Sequence, residues 1–157
     1  MCKITTIPKG TRSQGWIGHP QFQNYTIQAD VYAPNKLDRL PDIGLIAQRY
    51  TVDLQGASQK LQIRTWPPQL RMAQTEDFSW KSDTWYTVKL RASNEGGKAV
   101  LRAKVWPRGE AEPAAWACVA EDTVPNEIGS PGFYGNAKDA EIMYDNVTVT
   151  ANEPLNE

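Results

Sequence analysis

The sequence predicts an all-β fold, a two-sheet antiparallel sandwich, and three observations carry this prediction. Apolar and polar residues alternate with a period of two along most of the chain, whereas helical periodicity is almost absent. About eight short strands, separated by clusters of Pro, Gly, Asn and Asp, follow one another along the sequence. A chain of 157 residues buries roughly 70% of its unfolded surface. We therefore expect one domain over 1–157, with its ordered core at about 16–150.

The strands are placed by alternation and by the turn residues between them. In the segment 25–33 one face carries Tyr25, Ile27, Ala29, Val31 and Ala33. Further strands are predicted at about 43–54, 59–66, 69–74, 85–92, 99–106, 115–120 and 141–150. Two segments whose ends are fixed by proline, 107–113 and 124–132, are predicted to be ordered loops.

The clearest hairpin joins strands 85–92 and 99–106 through a turn at 93–98. Gly96 and Gly97 supply the positive φ values that such a turn requires. One face of the hairpin carries Tyr86, Val88, Leu90, Ala92, Leu101, Ala103 and Val105, and the other carries Thr87, Lys89, Arg91, Arg102, Lys104 and Trp106. The hairpin is therefore predicted to have an apolar inner face and a basic outer face.

Charge is distributed unevenly along the chain. Residues 44–108 contain 11 Lys and Arg against 5 Asp and Glu, whereas residues 109–157 contain 1 against 10. Two interpretations are open: the basic segment binds an anionic partner, or basic and acidic segments lie next to one another in the fold.

Several function classes lack their signatures. No apolar run approaches the roughly 20 residues of a membrane helix, so no membrane insertion is expected. No nucleic-acid-binding motif and no Gly-rich phosphate loop is present, so we expect no nucleic-acid partner. Cys2 and Cys118 form neither a disulfide framework nor a zinc motif, although a bridge between them is conceivable.

Several segments resemble a known family. The run 85–90, a Gly-containing turn and a second strand, Ser130 to Gly135, and then the Tyr144-Asp145-Asn146 segment follow the order found in concanavalin-A-like jelly-roll sandwiches. The segments 25–31, 41–50, 60–64 and 104–110 are similar to the C-terminal domain that follows quinoprotein-like (PQQ-binding-like) β-propellers in some bacteria.

This resemblance extends from about Trp16 to Val149. It implies a jelly-roll domain appended to a propeller in a bacterial protein exported from the cytoplasm, periplasmic or secreted. Any quinone would bind the propeller, so no organic cofactor is expected for this chain. The family offers no catalytic residues to carry over.

A sugar-binding surface requires an exposed aromatic ring for C–H stacking and planar polar side chains to bond hydroxyls. Trp66 and Trp106 end polar strand faces, so they are the candidate platforms. The polar candidates beside them are Arg49, Gln62, Arg64, Arg71, Arg91, Arg102 and Lys104. Such a basic face suits an acidic sugar, although Arg and Trp pairs on a sheet also stack for stability alone.

Asp145 is the most unusual acidic residue, because alternation places it among inward apolar neighbours. A buried carboxylate must be paired, hydrogen-bonded or metal-bound to remain ionised. Two interpretations are open: Asp145 belongs to a structural calcium site, or Asp145 and Asn146 bond to neighbouring backbone groups.

Three functions remain open at this point. The first is a non-catalytic accessory module that binds a glycan or its parent propeller through the basic, tryptophan-bearing face. The second is a structural domain that packs on a partner propeller. The third is a glycoside hydrolase or related sugar-processing enzyme. Against this third reading, Glu110, Glu112 and Glu121 fall in or beside Pro-rich loops, and Glu141 and Asp145 share an apolar strand face. We therefore expect a protein that is not an enzyme.

Overall fold

The structure, a computed structural model, describes residues 2–4, 12–36, 40–65, 70–136 and 141–153. These ranges contain twelve strands and no helix, and thus no helix long and apolar enough to cross a membrane. The strands are β1 (Cys2–Ile4), β2 (Arg12–Trp16), β3 (Tyr25–Tyr32), β4 (Asp42–Ala47), β5 (Tyr50–Gln55), β6 (Lys60–Thr65), β7 (Ala73–Asp77), β8 (Tyr86–Glu95), β9 (Lys98–Pro107), β10 (Cys118–Asp122), β11 (Gly132–Asn136) and β12 (Glu141–Ala151).

The strands form two six-stranded sheets. Sheet I has the order β1-β12-β3-β8-β9-β10, and sheet II has the order β2-β11-β4-β5-β6-β7. Neighbouring strands are antiparallel throughout both sheets. The chain passes between the sheets several times. One hydrophobic cluster contains side chains from both sheets. The prediction of an all-β, two-sheet antiparallel sandwich is confirmed.

The core lies between the sheets, where alternate residues of each strand point inward. In β3 these are Ile27, Ala29 and Val31, each at most 1% exposed. Sheet II contributes the fully buried side chains of Leu45, Val52, Leu54, Leu61 and Ile63. Burying one such aliphatic side chain contributes roughly 1.5–3 kcal/mol. The alternation that predicts the strands is therefore also the pattern that stabilises the sandwich.

The β8–β9 hairpin has the predicted faces. Its turn is formed by Gly96 and Gly97, with φ of 58° and 82°, values that glycine adopts without strain. The opposed pairs include Leu90–Ala103, which is fully buried, and Arg91–Arg102, which is partly exposed. The prediction of an apolar inner face and a basic outer face is confirmed.

Residues 43–54, predicted as one strand, form two. β4 ends at Ala47 and β5 begins at Tyr50, with Gln48 and Arg49 in the turn at φ of 47° and 65°. The Gln48 amide donates from Nε2 to the backbone oxygens of residues 126 and 127 at 3.1 and 3.0 Å. Its Oε1 accepts from the Asn24 N–H at 2.7 Å. Alternation missed this turn because tertiary hydrogen bonds, rather than Gly or Pro, hold it.

Strand β12 contains a β-bulge, where residues 146 and 147 together lie opposite a single residue of β3. Asn146 has φ of 48° at this point. Before the bulge the inward residue is Tyr144, 3% exposed, so the next side chain, Asp145, is directed outward and is 57% exposed. The prediction that Asp145 turns inward is wrong. It assumed that Asp145 and Val149 point to the same side of the strand, but the bulge between them reverses the alternation.

Other strand bounds differ from the sequence prediction. β1, β2 and β11 were not predicted, while β7 and β10 begin a few residues later than expected. β11 begins at Gly132, the last residue of the predicted loop 124–132, and is only five residues long. Strands this short give alternation too few residues to be recognised.

The two cysteines lie far apart. Cys2 is on β1 and Cys118 is on β10, at opposite edges of sheet I. Five strand spacings of about 4.8 Å separate them by roughly 24 Å, whereas bridged Cα atoms lie within about 7 Å. Cys118 is a free, buried thiol, so no bridge joins these residues.

Candidate functional site

The predicted ligand-binding residues do not share one surface. Arg91, Arg102, Lys104 and Trp106 lie on β8 and β9 of sheet I, Gln62 and Arg64 lie on β6 of sheet II, Arg49 lies in the β4–β5 turn and Arg71 precedes β7. Trp66 lies outside the described residues. The prediction of one sheet face carrying all of them is wrong, because the chain changes sheet between β7 and β8.

The outer face of the β8–β9 hairpin is largely neutralised by acidic residues. Glu112, in the loop after β9, accepts from Lys89 and, at 2.9 Å, from Lys104. Arg102 is paired with Glu95 at 2.8 Å. Burial would raise the pKa of Glu112, but its hydrogen bonds from the two lysines hold it below the ordinary value. The uneven charge along the chain therefore reflects, in part, basic and acidic segments that are neighbours in the fold.

Trp106 does not present an open ring. It is 8% exposed, and the Lys89 ammonium lies 5.7 Å from its ring centroid. The loop after β9 folds back onto this hairpin, where Lys104 lies 4.6 Å from the ring centroid of Trp116. The expectation that Trp106 offers an exposed platform is wrong, since the residue is buried and Lys89 lies over its ring.

Arg64 is also withdrawn from the surface. Its Nη2 lies 3.0 Å from Asp53 Oδ2, with side-chain exposures of 9% and 2% for the two residues. The guanidinium stacks 5.0 Å from the ring centroid of Tyr134. Burial raises the pKa of Asp53, and the nearby Arg64 charge opposes that shift. This arrangement is a buried ion pair on sheet II.

Arg71 fastens the loop that follows β10. Its Nη2 lies 2.5 Å from Asp122 Oδ2 and donates to the Val124 carbonyl at 2.7 Å and to Asn126 Oδ1 at 3.1 Å. These contacts account for the guanidinium, which is 27% exposed. A structural role explains this residue fully.

Trp16 is 57% exposed and offers the open aromatic ring that a sugar site requires. It opens onto a cleft of about 550 Å³ on sheet II. The cleft, here called the Trp16 cleft, is lined by Gln14, Trp16, Pro20, Ile46, Arg49, Ile128, Gly129 and Ser130. Of the predicted ligand-binding residues, Arg49 is the one that lines it.

The pairing of β2 with β11 holds Trp16 in place. Trp16 lies opposite Gly132, which lies opposite Ile46 of β4. A Cβ on Gly132 would fall 2.4 Å from the Gly15 carbonyl oxygen and 3.2 Å from Cδ1 of the indole, so only glycine leaves room here. Just beyond β2, the Ile17 N–H donates to the Pro131 carbonyl at 2.8 Å. Neither β2 nor β11 was predicted from the sequence, and Trp16 was not among the predicted ligand-binding residues.

Arg49 lines the Trp16 cleft from the β4–β5 turn. The positive φ of the β4–β5 turn directs the chain past Gly129, where an added Cβ would lie 2.9 Å from the Arg49 nitrogen. The Arg49 Nε donates to the Ile128 carbonyl at 3.3 Å. Within the described ranges its terminal amino groups make no hydrogen bond, so they can donate to a ligand.

Among the described carboxylates whose pKa is shifted, none combines a raised pKa with an open position. A general acid requires a raised pKa. The hydrogen bond from Arg102 lowers the pKa of Glu95, and Glu112 is likewise lowered. Asp53 has a raised pKa, but its burial against Arg64 separates it from any substrate.

The surroundings of Asp145 do not suit calcium. Arg108 Nη1 lies 3.7 Å from Asp145 Oδ2 and 3.6 Å from Asp30 Oδ2, so a guanidinium faces both carboxylates. No group of three His, Cys, Asp or Glu side chains suited to a metal occurs in the described ranges. Asn146, for its part, donates from Nδ2 to Asp30 Oδ2 at 2.7 Å. A structural calcium ion stays a prediction without a visible ligand set.

No protein-family model matches the chain, and no curated protein matches it. Solved structures do match. The exoplasmic/lumenal domain of VIP36, in a Ca²⁺/Man3GlcNAc-bound form, has a TM-score of 0.59 and 10% identity, covering 98% of this chain and 79% of its own. Sheep galectin-11, in complex with glycerol, has a TM-score of 0.55 and 7% identity, covering 92% and 100%.

A third match is the galectin LEC-6 of Caenorhabditis elegans, with a TM-score of 0.52, 10% identity and 95% coverage of each chain. The fold is a concanavalin A-like jelly-roll sandwich. At such low identity the likeness shows the fold alone. The resemblance to concanavalin-A-like jelly-roll sandwiches is therefore confirmed at the level of fold, while the similarity to domains that follow quinoprotein-like propellers stays a prediction.

Proposed function

We propose that this chain is a non-catalytic carbohydrate-binding module that contacts its sugar at the Trp16 cleft. The observation that carries the proposal is the exposed Trp16 indole, which lies with Gln14 and Arg49 around one open cleft. Lectin-like structures share the fold: the VIP36 domain binds Man3GlcNAc, and galectin-11 holds glycerol. The similarity in fold favours the hypothesis of sugar binding by analogy alone. The residues that could bind the sugar are those that line the cleft.

The chemistry of the cleft suits a sugar ring. The apolar C–H face of a pyranose packs on an indole, and planar amide or guanidinium groups bond its hydroxyls. Trp16 offers the ring face, Gln14 offers both a donor and an acceptor, and Arg49 offers free donors. A volume of about 550 Å³ lies within the range of small-molecule sites.

A binding role also agrees with the state of the carboxylates. The pKa values of Glu95 and Glu112 are lowered and their side chains are ion-paired, which suits structural charges rather than a general acid. We accordingly include in the proposal that the module is not an enzyme.

The experiment is a glycan-array screen of the purified chain, followed by calorimetry on any sugar that binds. We expect Trp16→Ala to abolish binding and Arg49→Gln to weaken it about tenfold, the equivalent of one charged hydrogen bond. Val119→Ala removes an exposed apolar side chain, 47% exposed, from sheet I and serves as the control. Binding that survives Trp16→Ala, or the absence of any bound glycan, would reject the proposal.

An alternative function is docking on another domain. Trp16, Ile17, Phe22 and Ile128 are 57%, 38%, 43% and 41% exposed, and such clustered apolar side chains are typical of interaction surfaces. The resemblance to domains that follow bacterial propellers supports a larger exported protein as the context, with its propeller as the partner. Protection of Trp16 fluorescence from quenching by an added propeller domain, without any glycan binding, would favour this alternative.

A further inference from the structure

A second concave surface lies on sheet I, on the outer faces of β12, β3 and β8. Its floor consists of two rows of three side chains set by the strand register: Thr148, Gln28 and Lys89 in one row, and Thr150, Thr26 and Arg91 in the other. Glu112 and Trp116, from the loop after β9, form a wall. This surface, here called the sheet I groove, has a volume of about 400 Å³.

The cations around the groove are not equally neutralised. Lys89 and Lys104 share Glu112, and Arg102 is bonded to Glu95 at 2.8 and 3.3 Å. Arg91 makes no ion pair within the described ranges. Its Nη2 donates to a backbone carbonyl, that of Glu153, at 2.6 Å. Among the described residues, therefore, no carboxylate pairs directly with the positive charge of Arg91.

The Arg91 guanidinium also lacks a hydrogen bond that it has the capacity to make. Its Nε is buried without a partner in the part of the chain that the structure describes. Burial and the cross-strand Arg102 lower the pKa of Arg91, an effect that Glu95 opposes in part. A buried donor without a partner is destabilising, and like charges opposite one another repel. An anion at Arg91 would offset the repulsion between the Arg91 and Arg102 charges.

We propose that the sheet I groove binds an acidic saccharide, whose carboxylate or sulfate group pairs with Arg91. Thr26, Thr148, Thr150 and Gln28 supply hydroxyl and amide groups for the sugar hydroxyls. Trp116 supplies an aromatic wall for the ring. The groove lies on sheet I and the Trp16 cleft lies on sheet II, so the two sites are separate and this inference does not rest on the proposed function.

Glu112 competes with the ligand in this arrangement, because it occupies two lysines and adds negative charge to the wall of the groove. Removing its charge releases Lys89 and Lys104 for the ligand. The two changes Arg91→Gln and Glu112→Gln thus act in opposite directions on the binding of an acidic sugar. A merely structural role for these residues would not produce opposite signs.

The experiment is calorimetric titration of the full 157-residue chain with a uronate tetrasaccharide, a sulfated tetrasaccharide, a neutral tetrasaccharide and inorganic sulfate. We expect one of the acidic oligosaccharides to bind, Arg91→Gln to weaken its binding about tenfold, and Glu112→Gln to strengthen it several-fold. Lys98→Gln is the control, since Lys98 pairs with Glu121 at 2.9 Å and does not line the groove. Trp16→Ala should leave this binding unchanged, whatever its effect on neutral glycans.

Several outcomes would overturn the inference. Equal losses in Arg91→Gln and Lys98→Gln would indicate unspecific attraction between net charges. Equal binding of the neutral and acidic sugars would show that Arg91 does not pair with an acidic group of the ligand. Inorganic sulfate that binds as tightly as the oligosaccharides would show that the sugar itself contributes nothing to binding. The uronate and sulfated ligands, compared directly, identify which acidic group the groove prefers.

Discussion

The phenol of Tyr50 donates a 2.7 Å hydrogen bond to Asp122 Oδ2 and thereby joins β5 of sheet II to β10 of sheet I. The same phenol oxygen accepts from the Asn126 N–H at 2.8 Å. Both partners are buried, and Arg71 pairs with the same carboxylate oxygen. This network fixes the loop after β10, whose later residues 128–130 line the Trp16 cleft.

Tyr50→Phe removes the hydroxyl and leaves two buried partners without it. We expect a loss of about 1–3 kcal/mol in the free energy of unfolding, the cost of leaving buried polar groups unpaired. Urea denaturation followed by circular dichroism measures it. Tyr32→Phe is the matched control: its hydroxyl bonds Asp83 at 3.2 Å in an exposed setting, so its loss should remain below about 0.5 kcal/mol. Equal losses of unfolding free energy in both variants would show that the Tyr50 hydrogen bonds between the sheets stabilise the protein no more than an exposed one does.

Acidification should destabilise the protein through its paired carboxylates. Burial opposes the ionised form of Asp122, but hydrogen bonds from Tyr50 and Arg71 outweigh it, so its pKa is lowered. Glu95 and Glu112 are lowered as well. The unfolded state then binds more protons than the folded state below about pH 4.5. The contribution of these groups to the free energy of unfolding is therefore present above that pH. It is lost as the pH falls through their pKa values in the folded protein.

The measurement is urea denaturation at pH steps from 6 to 3. We expect a declining free energy of unfolding below about pH 4.5 and a shallower decline in Asp122→Asn, which has already lost one of the titrating groups. Asp77→Asn is the comparison, since that side chain is 89% exposed and should leave the slope nearly unchanged. A slope in Asp122→Asn as steep as in the unaltered chain would contradict the assignment.

Local alternation predicts most strands of the two sheets, whereas the positions of the candidate site residues depend on tertiary contacts. The β8–β9 hairpin follows from its own residues, because Gly96 and Gly97 favour the turn and the alternating side chains sort the faces. The β4–β5 turn depends on Gln48, whose hydrogen bonds reach residues 24 and 126. No window of neighbouring residues contains that information.

The same limit explains why Trp106, predicted as an exposed platform, is buried. Trp106 ends a polar strand face, yet the loop carrying Glu112 and Trp116 covers that face in the fold. Trp16 lies in a short strand without clear alternation. The Pro131-Gly132 pair, treated as a loop signal, marks the start of β11 and the glycine that accommodates Trp16. The need for glycine at position 132, beside the Trp16 indole, is the sequence feature that could have indicated this platform.

Gly44 should tolerate no side chain. A Cβ at this position of β4 would fall 1.9 Å from the Val52 carbonyl oxygen and 2.9 Å from the Asp53 Cα. Since both are backbone atoms of the adjacent strand, β4 and β5 would have to separate. We expect Gly44→Ala to cost about 3 kcal/mol of unfolding free energy or to prevent folding. Gly15→Ala, in β2, meets nothing within 4 Å and should change the stability little; a similar loss there would point to glycine flexibility instead of packing.

The buried Cys118 thiol should be chemically inert in the folded protein. Burial, together with the nearby Glu76 charge, raises its pKa to about 11, so roughly one thiol in a thousand is ionised at pH 8. The thiolate is the reactive form, and the Cys118 residue is 2% exposed. In a Cys2→Ser variant, which leaves Cys118 as the sole cysteine, we expect negligible reaction with a disulfide reagent at pH 8 and full reaction in denaturant. Because labelling then requires opening of β10, its rate in Tyr50→Phe should rise with the lost stability; rapid, complete labelling of the unaltered fold would contradict the burial of this strand.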